Sequence, residues 1–172
     1  MKLLHAMLTG ALALLCLGGP AASDEVNPSA TSTMTLHLQG PVDAAFAMFD
    51  PVHESLWSPH WRPRFLGTRT VAEGLVFVTT GHTSAQTVWL LDRYDAAARR
   101  LRYINVSGAR TLTQLDISVA PRGAAASDAT LRLVETALDP AALPDVRSSV
   151  HGFPAEAPHW EAAIDSVLRT RS

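Results

Sequence analysis

The residues with the most obvious chemical potential are His53 and Glu54, followed by His60, because two imidazoles and a carboxylate are standard ligands for zinc or iron. Their spacing departs from the helical His-Glu-x-x-His arrangement: Leu56 and Trp57 stand where the second histidine should fall. Glu54 therefore reads as a helix-surface or capping carboxylate and the two histidines as exposed loop groups, with no metal expected. Glu135 is the more suggestive carboxylate. It follows Leu131 and Leu133 at two-residue spacing, so on a strand all three share one face, the face assigned here to the interior. A carboxyl there has a raised pKa and can serve as acid or base. A one-residue slip in register would instead place it in solvent, beside arginines of neighbouring strands.

Tyr103, Asn105 and His82 are weaker candidates for polar groups in a pocket. Asn105-Val106-Ser107 matches a glycosylation acceptor, but inside a predicted strand the pattern carries little weight. No Gly-x-Ser-x-Gly elbow accompanies the Ser, His and Asp residues, so acyl transfer has no support. Trp57 and Trp61 have two readings. Either their indoles stack on a ligand ring at a pocket mouth, or they wedge short helices against a sheet. Trp89 and Tyr103 lie in predicted strands with the same two readings, and their polar tips need partners if buried.

The elements that must position these groups follow from periodicity. Thr33 to Leu38 alternates, with Met34, Leu36 and Leu38 on one side, as a half-buried strand does. Gly40-Pro41 ends it, and Asp43 is placed to cap a short helix through Phe46 and Phe49. Asp50-Pro51 breaks that helix and restarts a second through Trp57, after which Pro59 and Pro63 keep the chain irregular around Trp61. Strand patterns then recur at Leu75–Val78, Thr87–Leu91, Leu101–Val106, Thr111–Val119 and Leu131–Leu138, joined by short loops that favour antiparallel hairpins. Thr113, Leu115, Ile117 and Val119 share a face. Pro140 to Pro158 is expected to be a long loop with one helical turn. Trp160, Ile164, Val167 and Leu168 recur at helical spacing, with Glu161 and Asp165 on the flank, so the chain ends in an amphipathic helix whose stripe must pack on the sheet.

Composition bounds the rest. Lys2 precedes an apolar run from Ala6 to Leu17, and Gly18-Gly19-Pro20 leads to the small residues Ala21-Ala22-Ser23, the order of a secretory signal peptide. The run falls short of the roughly 20 residues a membrane span needs, so no stable membrane insertion is expected. Cys16, the single cysteine, raises a lipoprotein anchor as a rival, but Leu15 precedes it where a small residue should stand. Residues 1–23 are thus expected to be a signal peptide, 24–32 a disordered lead-in and 33–170 one domain, which contains no cysteine and so must be held by its core. Without Lys2 the chain carries 13 arginines against 16 acids, a charge of −3 (13 − 16), which excludes a basic field for nucleic acid. The excess of Arg over Lys, with abundant Ala, points to a GC-rich bacterial genome and hence to a periplasmic or secreted protein.

A strand, two short helices, a run of strands and a long last helix is the order of a helix-grip domain. On Gly40-Pro41-Val42-Asp43 leading to Phe46 and Phe49, Glu54-x-x-Trp57 with Trp61, Trp89 ahead of Arg93-Tyr94-Asp95, and Trp160-Glu161-Ala162-Ala163-Ile164, the chain resembles the START-like, or SRPBCC, superfamily of polyketide cyclases and birch-pollen-allergen-like proteins. The resemblance is to a bacterial branch with no assigned activity. It implies an α+β fold: a curved antiparallel sheet of about seven strands wrapped round a long C-terminal helix, enclosing a cavity for an apolar ligand. A lipid, polyketide or aromatic metabolite suits such a cavity, with no cofactor, and Trp57, Trp61, Trp89, Tyr103, Glu135 and Trp160 are the candidate ligand-binding residues. The aromatic content of 6% suggests a small pocket or an aliphatic lining. A carrier or sensor without catalysis is the first functional expectation, a cyclase- or dehydratase-like enzyme using polar cavity groups the second, and a protein-binding role in the envelope a third.

Overall fold

The computed structural model describes residues 27–80 and 86–171. The expectations for the signal peptide, for Cys16 and for His82 lie outside the described residues. The elements run β1 (Ser29–Leu38), α1 (Val42–Ala47), β2 (Arg64–Phe65), β3 (Val76–Thr80), β4 (Gln86–Asp95), β5 (Arg100–Ser107), β6 (Thr111–Pro121), β7 (Ser127–Ala137), α2 (Leu143–Gly152) and α3 (Ala157–Arg171). Seven antiparallel strands form one sheet in the order β1-β7-β6-β5-β4-β3-β2. The expected helix-grip architecture is met: hairpins carry the chain from β3 to β7, and the first strand closes onto the last.

Several local expectations are corrected. β1 begins at Ser29, inside the stretch read as lead-in, because Ser29 to Ser32 find partners on β7 at Thr136 to Leu133. Asp43 is not the cap of α1. Pro41 takes that position, and Asp43 sits in the first turn, where Arg99 Nε donates to its carboxylate at 2.6 Å. The second helix shrinks to a 3-10 turn, Glu54–Leu56, and the irregular stretch around Trp61 leads into the two-residue strand β2. The largest difference is at 140–158. This segment is helical, with a 3-10 turn at Pro140–Ala142, then α2, then a second 3-10 turn at Phe153–Glu156. Pro140, Pro144, Pro154 and Pro158 all fall in first turns, where the missing N–H costs nothing.

The core lies on the concave side of the sheet, where Leu36, Leu38, Leu101, Leu131 and Ile164 are fully buried. β4 pairs with β5 through a register shift between Leu91 and Arg93, a bulge that adds bend and twist to the sheet. Ile164 and Leu168 of α3 enter the core, and Trp160 and Val167 pack on its margin, as the apolar stripe requires. Gly40 lets the chain pass under this helix: a Cβ there would lie 2.9 Å from Leu168 Cδ1. The flank of α3 has its own task. Glu161 accepts a hydrogen bond from His37 N at 2.6 Å and Asp165 one from Gln39 N at 2.8 Å. Carboxylates one helical turn apart rise about 6 Å, nearly the step of about 6.7 Å between alternate strand residues. The helix therefore caps the free edge of β1, which would otherwise offer its unpaired N–H groups to another chain.

Candidate functional site

The register of the sheet arranges concave-face side chains in cross-strand rows. One row runs Phe77, Trp89, Asn105, Thr113, Glu135, and the next runs Leu91, Tyr103, Leu115, Leu133. On the side nearer the strand ends, Thr87, Ser107 and Thr111 form a third row. Polarity therefore falls along the strands, from hydroxyls, through a mixed row, to hydrocarbon and the single phenol of Tyr103. A sheet this curved cannot be filled by one helix, and two adjoining cavities remain.

The outer chamber, about 450 Å³, lies between the sheet and α2, and its wall includes Trp89, Asn105, Thr113, Leu133, Glu135, Val146, Ser149, Phe153 and Trp160. The inner chamber, about 220 Å³, is lined by Phe49, Glu54, Trp57, Trp61, Trp89, Tyr103, Leu115, Ile117 and Trp160. Trp89, Leu115 and Trp160 line both and form the boundary between them. Six of the nine inner residues are aromatic, and all four tryptophans of the chain are among them. The modest aromatic content misled: it is concentrated on this cavity, so the lining is aromatic rather than aliphatic.

The tryptophans anchor the short helical segments as the second reading expected, and all four also line the inner chamber. Trp57 Nε1 donates to Met48 O at 2.7 Å and Trp61 Nε1 to Pro51 O at 2.9 Å, which fixes the irregular segment to the end of α1. Trp89 Nε1 donates to Thr79 Oγ1 at 2.9 Å. With the polar tips used up by protein, the ring surfaces are left for packing and for the cavity. Trp61 and Trp89 meet edge to face with centroids 5.1 Å apart, Trp57 and Trp160 lie 5.3 Å apart, and Phe77 stacks on Trp89 at 5.9 Å. Tyr103 is buried, and its hydroxyl donates to Phe49 O at 2.9 Å. Burial, then the nearby Glu54 and Asp50 carboxyls, hold that phenol well above its ordinary pKa.

The residue that sequence reasoning misplaced is Glu54. It lines the inner chamber and is not a surface or capping carboxylate. The capping role belongs to Asp50, only 4% exposed, whose Oδ1 accepts from Val52 N and His53 N, both at 2.8 Å, while Oδ2 pairs with His53 Nδ1 at 2.6 Å. That Asx-type turn aims Glu54 inward. Glu54 keeps some accessible surface, but that surface faces the chamber. Desolvation, reinforced by the Asp50 charge, raises its pKa from near 4.5 to about 8. A sequence signal existed in Glu54-x-x-Trp57, since residues three apart share a face and Trp57 is not a solvent residue.

Glu135 faces inward as its strand pattern indicated, lining the outer chamber half-buried. Ser149 Oγ of α2 donates to its Oε1 at 3.2 Å, and Thr113 gives a second side-chain hydrogen bond. Burial nonetheless pushes its pKa up against these two opposing effects. Asn105, at 7% exposure, lines the same chamber, which removes it as a glycosylation acceptor. The α2 contributors, Val146 and Ser149, were missed because their segment read as a loop. Among the described residues no three His, Cys, Asp or Glu side chains come together as a metal site, and no helix is long and apolar enough to cross a membrane.

Solved structures share this architecture at low sequence identity. Norcoclaurine synthase from Thalictrum flavum superposes with a TM-score of 0.62 at 15% identity, covering 93% of this chain and 98% of that one. A START superfamily protein from Mycobacterium smegmatis gives 0.61 at 13%, covering 83% and 99%. The Zhui aromatase/cyclase from Streptomyces sp. R1128 gives 0.63 at 12%, covering 83% and 95%. The fold is START-like. No family model and no curated protein sequence matches the chain. The two chambers lie on the concave side of the sheet, walled by α2, the segment after α1 and Trp160 of the last helix, so the cavity is formed by the architecture and made particular by Glu54, Glu135 and the tryptophans.

Proposed function

We propose that the protein binds an apolar small molecule, such as a lipid, polyketide or aromatic metabolite, inside the two-chambered cavity, and that it does so in the periplasm or outside the cell after loss of residues 1–23. The aromatic inner chamber carries this reading. A ligand there exchanges water for aromatic surface, gaining roughly 25 cal/mol per Å² of apolar area buried. The boundary residues Trp89, Leu115 and Trp160 would touch it on both sides. Native mass spectrometry and solvent extraction of purified protein test the proposal, with a stoichiometric apolar compound as the expected result. An empty protein that also takes up no hydrophobic probe overturns it. Mass analysis of the exported chain should find an N-terminus at Asp24; an acylated Cys16 would replace free export by a membrane anchor.

Acid–base catalysis on the bound molecule is a second reading, favoured by one specific observation. Glu54 lines the inner chamber together with Tyr103, and with a pKa of about 8 it is largely protonated at neutral pH. A neutral carboxyl in an aromatic chamber can lend its proton to a developing enolate or alkoxide, as cyclisation and dehydration require. Extraction from wild type and Glu54→Gln separates the readings. Catalysis leaves the variant holding a precursor that differs by the elements of water, whereas pure binding leaves the same compound in both.

A further inference from the structure

Of the charged groups lining the cavity, all are carboxyls. Glu54 faces the inner chamber, and Glu135 and Asp145 the outer one, while no Arg, Lys or His appears on either wall. Arg110 stands behind Asp145, with Nη2 3.6 Å from its carboxylate, and lines neither chamber. Arg147 and His151 of α2 are exposed and also line neither. Glu135 receives only neutral donors, from Ser149 and Thr113, which leaves part of its acceptor capacity unused. Two strands away in the same cross-strand row, across Thr113, the Asn105 carboxamide is nine-tenths buried, lines the same chamber and bonds to no side chain among the described residues. The Asn105 amide and the unused acceptor sites of Glu135 therefore open onto the chamber, where an incoming donor can pair with them.

We propose that the cavity selects its ligand by charge: it takes an amphiphile with an aromatic body and an ammonium end, the ammonium held by Glu135 and Asn105 in the outer chamber and the ring against Trp160 and Leu115. Carboxylate-ended amphiphiles are disfavoured, because neither wall offers a cation and their charge would lie near the Glu135 and Asp145 carboxyls in a partly desolvated space. This rests on the cavity being a binding site, as proposed above, and adds the chemical class of the occupant. The cationic end also favours the ionised form of Glu135, offsetting the burial that raises its pKa.

Calorimetric titration of the full exported chain with three matched naphthyl compounds tests both levels. The probes are 2-(1-naphthyl)ethylamine, 2-(1-naphthyl)ethanol and 1-naphthylacetate. The expected order of affinity is amine, alcohol, acid, with the amine at least about tenfold tighter than the acid, the size of effect a partly desolvated ion pair contributes. In Glu135→Gln the advantage of the amine over the alcohol should vanish while the affinity for the alcohol is kept. Equal affinities, or an acid that binds tightest, overturn the charge selection and leave the binding reading standing. Failure of all three to bind overturns both. The wild-type series decides the matter even if the variant does not fold.

Discussion

At the scale of single residues, the cavity is governed by two groups whose environments oppose their ordinary chemistry. Between about pH 4.5 and 8 the folded protein holds a proton on Glu54 that the unfolded chain has released. Stability contributed at this site therefore falls as pH rises through that window, by at most about 1.4 kcal/mol per unit, less where cavity water hydrates the carboxylate. Urea unfolding across a pH series should show this slope in the wild type and its loss in Glu54→Gln, the difference between the two isolating the one carboxyl. Tyr103→Phe leaves Phe49 O without its donor and is expected to cost about 1–2 kcal/mol in the same unfolding measurement. Glu135 was legible from its alternation with Leu131 and Leu133, since β7 obeys a strict two-residue period. Glu54 was far less legible, because its direction is set by Asp50 and a 3-10 turn, and the single spacing Glu54-x-x-Trp57 is too short to count as a period.

The elements show the same division between what a chain spells out and what only packing decides. The strands and α3 were legible because each has an apolar face repeated often enough to be counted. Residues 140–158 were not: four prolines mark helix starts as readily as loops, and only the cavity wall that α2 completes explains why Val146 is buried there. The hydrogen bonds from α3 to β1 belong to this scale as well. Glu161 and Asp165 looked like solvent-facing flank residues, yet each closes an N–H on the sheet edge. The double variant Glu161→Ala/Asp165→Ala is expected to lose roughly 1–3 kcal/mol, given the partial exposure of both bonds. It should also associate through the uncovered edge, visible as oligomers in size-exclusion chromatography with light scattering. A variant that stays monomeric and fully stable would show the contacts to be incidental.

For the whole molecule, the decisive property is that its two chambers adjoin across one small set of side chains, Trp89, Leu115 and Trp160. Leu115→Trp enlarges the residue that lines both, and it should lower the affinity for a cavity-spanning ligand at least about tenfold while the fold persists, since the added volume enters a void and not a packed core. Calorimetry with circular dichroism as the control measures both parts. Saturating the wild type at about a hundred times Kd should add roughly 2.7 kcal/mol to its stability, and a variant with a blocked cavity should gain nothing. The gathering of Trp57, Trp61, Trp89 and Trp160 on that cavity has one more consequence. Every indole in the chain borders the same few hundred cubic ångströms, so tryptophan fluorescence carries no background from elsewhere. The edge-to-face pair Trp61 and Trp89 and the neighbouring Trp57 and Trp160 are close enough to share excitation. A single occupant that quenches one indole therefore dims the others with it, and the protein reports its own filling by the colour and intensity of its emission.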